Sequence, residues 1–331
     1  MRFGIFNLQY YTSETQLTLF DDVAVQLQLM EKYGYYSSFI GERHLYEDGF
    51  LELMTTMTAM AAKSKKLKIG SNVILLPLYN PLLVAEWGAT LDRISKGRLI
   101  LGVGLGYRLE ELEAYGISPK ERVSRLEEAV MLLRRFWSEL RVTHSGKHFN
   151  YNDVYVSPKP IQKPHPPIYI GGEAKGAISR AARIGDGWSA ASASTESFIE
   201  DAIGFYREKL REYGKDPSQE KILLMREAYI ARDHETARRI LEPHLTNLYW
   251  NYAKWGNPHI TAMEAIDFDK REEDTFIVGN SDECIGKVEK YKKMGVDHLV
   301  LRFQFPGMSQ EDTLEAIKLW GEKVIPYFKE R

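Results

Sequence analysis

A single cysteine, Cys284, stands in 331 residues, so no disulfide can form within the chain and no cysteine cluster can hold a metal. That scarcity suits a reducing compartment. Long apolar runs are missing as well: nothing approaches the ~18 consecutive apolar residues of a membrane span, and no charged-then-apolar leader precedes the strand pattern that begins at Arg2. The expectation is a cytoplasmic protein with no membrane partner. Charge of one sign is also lacking, because 44 basic residues face 46 acidic ones for a net of −2 without a long block of either. This argues against a nucleic-acid surface and points to small-molecule partners. Several reaction motifs are absent too. There is no GxSxG, Cys284 sits in a helical pattern, and His144 and His148 flank an expected hairpin turn, which makes a metal there a poor fit. The run GVGLGYR is no dinucleotide fingerprint, since Tyr107 fills the third glycine position.

What the chain does have is concentrated in residues 67–107. Two short apolar runs, 68–76 and 98–103, flank one amphipathic stretch from 81 to 95, the spacing of a strand–helix–strand crossover with parallel strands. The first run scarcely alternates after Asn72, so both its faces are to be covered. Pro81 suits a first helical turn and Gly97 a stop. Each strand ends oddly, the first in the polar pair Ser71-Asn72 and the second in GVGLG, where glycines let a ligand or a backbone approach closely.

Along the whole chain, strands are expected near residues 3, 38, 72, 101, 169, 189, 226 and 300, each followed by a helix. Eight such units make a (β/α)8 TIM barrel, a single domain over residues 1–331. Two excursions interrupt it: a hairpin and connector near 142–167 with five prolines, and an aperiodic loop near 251–275. Function in such a barrel lies at the C-terminal strand ends. There GGEAKGA (171–177) opens a helix on two glycines, leaving amides and the positive helix end for an anion such as phosphate. A plain strand-to-helix turn has the same spacing, and the two readings stay open on the residues alone. His44 follows Glu42 by two positions, a pair able to act as an oriented base or donor; a structural histidine among charges has the same appearance. Strand alternation would send Glu42 and His44 to one side and Arg43 to the other.

The segments MRFGIFNLQY, FIGERHL, GSNVILLPLYNPLLVAEWGATLDRISKGRLILGVGLGYR, PPIYIGGEAKGAISRAARIGDGW and GVDHLVLRF together resemble the bacterial-luciferase-like flavin-dependent monooxygenases, over nearly the whole chain. The resemblance implies a (β/α)8 barrel with an insertion, a homodimer, and FMN that arrives reduced from a separate NAD(P)H-flavin reductase. It also implies use of O2 on an aldehyde, alkane, sulfonate or terpenoid. A sister branch uses an 8-hydroxy-5-deazaflavin coenzyme for hydride transfer, and a non-catalytic flavin-binding barrel is a further alternative. Carried over residue by residue, the phosphate turn falls on Gly172, Glu173, Ala174, Gly176 and Ala177. The ring contact falls on Ser71, Asn72 and Val73, with a cis peptide expected between Asn72 and Val73, and on Gly104, Gly106 and Tyr107. The catalytic region is Glu42, Arg43 and His44, with His44 the expected proton donor, and the substrate side is Tyr10, Arg226 and Arg302. Two departures stand out. Arg43 replaces the first histidine of a Glu-His-His run, and Leu105 replaces a phosphate-holding arginine, for which Arg108 is a candidate substitute. Gly106-Tyr107 favours the flavin branch, because the deazaflavin branch more often has Gly-Glu there.

Overall fold

The computed structural model describes residues 1–7, 18–45, 50–219, 221–255, 260 and 267–329. Parallel strands β1 (Arg2–Phe6), β2 (Ser37–Ile40), β3 (Lys68–Ser71) and β4 (Leu99–Val103) pair in sequence order. After the two strands of the hairpin excursion, β5 (Val142–Ser145) and β6 (Asn150–Val154), the series resumes with β7 (Ile168–Gly171), β8 (Gly187–Ala190) and β9 (Lys221–Ile230). With β10 (Ile277–Gly279) set aside, β11 (His298–Arg302) pairs with both β9 and β1, which closes a barrel of eight parallel strands. This is the expected (β/α)8 architecture. Beyond expectation, β10 adds a parallel partner to the far end of β9, Ile277 lying beside Ala228. Three residues are too few to carry a readable period.

The helices are α1 (Leu19–Tyr33), α2 (Leu53–Lys63), α3 (Pro81–Ile94), α4 (Leu109–Ala114), α5 (Arg122–Ser138), α6 (Lys175–Ile184), α7 (Glu196–Glu212) and α8 (His234–Lys254), then Phe268–Asp274, Ser281–Met294, Gln310–Leu319 and Ile325–Lys329. In the central unit, Asn80 caps α3 by accepting from the Leu82 amide at 2.9 Å, with Pro81 next, and the exit turns left-handed at Lys96 (φ 58°) and Gly97 (φ 81°). β3 ends at Ser71, earlier than the apolar run suggested, and the Asn72–Val73 peptide is cis.

Phe39, Ile100, Tyr169, Leu223 and Val300 come from five strands spread around the barrel, β2, β4, β7, β9 and β11, and form a cluster separate from the main core. Such residues meet only across the barrel, so they plug its interior. His298 belongs to this plug, with Nε2 2.7 Å from Ser37 Oγ and its ring edge-on to Tyr36. The open space therefore lies above, at the C-terminal mouth. The hairpin β5–β6 is tied down by one carboxylate of α5: Glu128 accepts from His148 N (3.0 Å), Phe149 N (2.9 Å) and His144 Nε2 (3.0 Å). Both histidines of the suspicious spacing thus serve packing. Among the described residues, no group of three His, Cys, Asp or Glu is arranged for a metal.

Cys284 is buried, and burial, with Glu283 beside it, pushes its thiol up to about 12. In native protein at pH 8 a disulfide reagent such as DTNB is expected to leave it untouched until denaturant is added. One equivalent of thiol reacting within seconds without denaturant would contradict this burial.

Candidate active site

A cavity of about 410 Å³ opens at the C-terminal mouth, lined from the ends of β1 through β11. Its apolar shelf is Val73. A side chain placed at Gly104 would come within 2.5 Å of Val73 Cγ2, and one at Gly171 within 2.9 Å of Val73 Cγ1. The two glycines therefore seat the valine and present it to the cavity. Ser71 Oγ donates to the Gly102 carbonyl (2.8 Å), which also accepts from Ile74 N (2.9 Å), while Asn72 Oδ1 accepts from Ser189 Oγ across the barrel (2.8 Å). The shelf is fixed on both flanks.

Beside it lies the glycine turn. Gly172 has φ 135°, and a side chain there would meet Ala177 Cβ at 2.7 Å. The helix begins at Lys175 with Ala174 as its cap residue, so the amides of the first turn lack preceding helical carbonyls. Ala174 and Ala177 border the cavity, whereas Gly176 and Ser71 lie off its wall. Glu173 turns its carboxylate to the loop after β8, where Oε1 accepts from Ser194 Oγ and from Ala191 N at 3.2 Å.

The run after β2 is arranged differently from strand alternation. β2 ends at Ile40, so residues 41–44 are no longer held to a pleat. Glu42 and Arg43 both border the cavity, and the His44 ring lies outside its wall. Glu42 accepts from Leu75 N, from the Tyr79 hydroxyl and from His44 Nε2, the last at 2.9 Å. Tyr115 OH stands 2.9 Å from His44 Nδ1, so both ring nitrogens are occupied. Arg43 reaches over the mouth, its guanidinium 4.3 Å from the Trp255 ring centre and 5.4 Å from that of Tyr252, with Tyr107 OH 3.4 Å away. Arg108 is drawn to Glu110 (2.8 Å), Glu111 (3.1 Å) and the His44 carbonyl (3.0 Å), and takes no place at the glycine turn.

On the expected substrate side, Arg302 borders the cavity, donating to Tyr252 OH at 2.9 Å, with Glu227 Oε2 3.4 Å from its Nε. Arg226 does not. It is wholly buried behind the barrel wall, donating to Tyr291 OH (2.8 Å) and to the Ser192 carbonyl (3.0 Å), because along β9 the neighbouring Met225 takes the inward position. Tyr10 lies outside the described residues. Phe6, Ser192, Tyr252 and Gln304 also line the cavity; Ser192 and Gln304 stand just past strand ends, where function is expected, whereas Phe6 and Tyr252 carry no such signal in the sequence. Gln304 stands two positions after Arg302 on the same strand exit.

Burial works to lower the His44 imidazole, but its hydrogen bond to Glu42 and the charges of Glu42, Glu111 and Glu52 outweigh it and hold it above its ordinary 6.5. A raised folded value stabilises fully below the unfolded pKa and is lost as pH climbs through the folded one. In Glu42→Gln, burial remains and the main partner is neutral. His44 followed by NMR is then expected to titrate below its parent value, and the stability gap between parent and variant to narrow as pH rises from 6 to 8. A gap that is flat or that widens over this range would refute the assignment.

A closed parallel barrel with an apolar shelf and a helix N-terminus side by side at one cavity is the architecture of an enzyme that holds a flat cofactor with an anionic tail. The sequence matches the luciferase-like monooxygenase family over residues 1–298, and the chain belongs to that family. It is similar to the F420-dependent glucose-6-phosphate dehydrogenase of Microbacterium testaceum, 28% identical over 320 residues and covering 92% of each chain. It is similar also to the oxygenase component of the flavin-dependent trigonelline monooxygenase of Acinetobacter baylyi, 22% identical with 100% of this chain and 96% of the relative covered. In fold it resembles the monooxygenase RslO1 of Streptomyces bottropensis, with a TM-score of 0.85, 24% identity, and 99% and 100% of the two chains covered. Both flavin-dependent and F420-dependent oxidoreductases are thus among its relatives. Among the described residues, no helix is long and apolar enough to cross a membrane.

Proposed function

We propose that this chain is the oxygenase of a two-component monooxygenase, taking reduced FMN from a separate NAD(P)H-flavin reductase and oxidising a small organic molecule with O2. The observation that carries the reading is the engagement of the acids around the cavity. Glu42 accepts from three protein donors, Glu173 from two, and His44 is held through both nitrogens. Hydride removal from an alcohol needs a base within hydrogen-bond reach of its proton, and these groups are turned to the protein. Oxygenation makes no such demand on the substrate. Reduced FMN, when bound, supplies the two electrons, with one oxygen atom entering the substrate and the other leaving as water.

The residues present fit that group. Val73, seated on Gly104 and Gly171, supports one face of a flat ring. The free first-turn amides at Lys175 and Gly176 would hold a phosphate through hydrogen bonds and the helix dipole. Arg43, stacked on Trp255 and Tyr252, covers the mouth and keeps water from the reacting edge. In this assignment Glu42 and His44 are positioning residues that fix the loop carrying Arg43.

A deazaflavin-dependent hydride-transfer enzyme is the second reading, favoured by the identity to F420-dependent dehydrogenases. The two separate in one experiment. The protein is titrated anaerobically with reduced FMN and with F420, then given O2 with a panel of aldehydes, alkanesulfonates and terpenoid ketones, or glucose 6-phosphate and secondary alcohols without O2. Oxygenated product with FMN supports the monooxygenase. Bleaching of F420 by an alcohol, with no oxygen-dependent product, would replace it by the second reading.

A further inference from the structure

Between the barrel and α1 runs a buried chain of side-chain amides whose orientation is fixed from one end. Gln310 Nε2 lies 2.9 Å from the carbonyl oxygen of Asp22, which can only accept, so this end of Gln310 is its donor. Gln310 Oε1 must then accept, and it does so from Gln26 Nε2 at 2.9 Å. The second hydrogen of Gln26 Nε2 goes to Gln304 Oε1 at 2.8 Å. Gln26 Oε1, left as the acceptor, takes a hydrogen bond from Asn7 Nδ2 at 2.7 Å, and Asn7 Oδ1 takes one from Ser38 Oγ. Every member is assigned without conflict, and Gln26 is only 1% exposed.

The chain ends at Gln304, which is 5% exposed and borders the cavity. With its oxygen committed to Gln26, its amino group is presented as donor, and among the described residues nothing accepts from it. A donor with no protein acceptor, opening on a cavity from an otherwise buried residue, is a place where a ligand atom is expected. We propose that Gln304 Nε2 is the hydrogen-bond donor that binds the carbonyl oxygen of a neutral substrate. This rests on the reading of the cavity as the place of oxidation.

Charge decides between a carbonyl and a carboxylate. The charged neighbour on the same strand exit is Arg302, whose Nε lies 3.4 Å from the fully buried Glu227, so the pair is close to neutral as a unit. A carboxylate would bring a second anion towards Glu227 and lose its own hydration, whereas a ketone or aldehyde oxygen needs one donor and no countercharge. Gln304 also stands just past β11, away from the Val73 shelf just past β3 and the glycine turn after β7. A ring and tail supported there leave this wall to the substrate.

The test is binding, measured by calorimetry with and without FMN. The probes are acetophenone, its carbon isostere α-methylstyrene, and benzoate. The side-chain amide of Gln304 is followed by 15N NMR, its resonances assigned by their loss in Gln304→Leu. Acetophenone is expected to bind at least tenfold tighter than α-methylstyrene and tighter than benzoate, and to shift the Gln304 amide. Gln304→Leu should erase the preference. Gln310→Leu, which removes the fixed end and frees the amides to flip, should weaken it. Equal binding of ketone and isostere, tighter binding of benzoate, or a preference that survives Gln304→Leu would overturn the proposal. So would an amide that responds to FMN but not to acetophenone. A protein that fails to bind FMN and still prefers the ketone would overturn the coenzyme assignment while supporting this one.

Discussion

Ala174→Asp is expected to lower FMN affinity at least tenfold, an effect of about 1.4 kcal/mol or more, while leaving the fold as stable as before or more so. The two signs come from one geometry. Ala174 has φ −60° and ψ 143° and offers no side-chain hydrogen bond at the cap of α6. Aspartate is among the best residues for that position because its carboxylate accepts from first-turn amides, and exchanging a good cap for alanine costs about 0.5–2 kcal/mol, so the reverse change should add stability. The same amides are the ones assigned to phosphate, and the new charge repels it. Thermal unfolding should therefore move up or stay while flavin titration shows weakened binding. Unchanged affinity in a folded variant would place the phosphate elsewhere.

Gly102→Ala is expected to be the most damaging single-methyl change in the chain, costing about 3 kcal/mol or more. A Cβ there would penetrate the carbonyl oxygen of Ser71, well inside contact distance. That carbonyl belongs to β3 immediately before the shelf, and neither strand can retreat without breaking the Gly102 carbonyl's bonds from Ser71 Oγ and Ile74 N. At Gly104 the obstacle is only Val73 Cγ2, a side chain able to turn, so Gly104→Ala should cost less stability while displacing the shelf. Gly204 in α7 serves as control. A Cβ there meets nothing within 4 Å, and alanine in a helix interior should stabilise by about 0.5–1 kcal/mol. Urea midpoints of the three variants check the order, and a Gly102→Ala protein as stable as the parent would remove the clash from consideration.

The barrel was legible because its period is local. Each strand is an apolar run and each helix an amphipathic one, and the caps Asn80-Pro81 and Lys96-Gly97 mark the central helix where the sequence puts them. The glycine turn was legible for the same reason. The run Glu42-Arg43-His44 was not, since its alternation presumes a strand that ends at Ile40. Arg226 and Arg302 look alike at two strand ends, yet one points behind the wall and the other into the cavity; a shift of one position along β9 decides it. The amide chain from Gln310 to Gln304 spans residues that α1, β1 and β11 bring together, with Gln26 and Gln304 standing 278 positions apart. No pattern along a sequence records such a meeting.

The guanidinium of Arg43 over Trp255 also gives the molecule an optical gauge of its own mouth. Of the 6 tryptophans, Trp137, Trp188 and Trp320 are sealed in the core, Trp87 is bonded to Met54 and Thr58, and Trp250 is half-buried on α8. Trp255 alone among them carries a cation stacked on its ring at the cavity, 4.3 Å away. A charge at that distance displaces the indole emission band, so whatever enters and moves Arg43 changes the colour of Trp255 fluorescence. Occupancy of the mouth can then be read in real time from unlabelled protein, with no turnover and before any substrate is known.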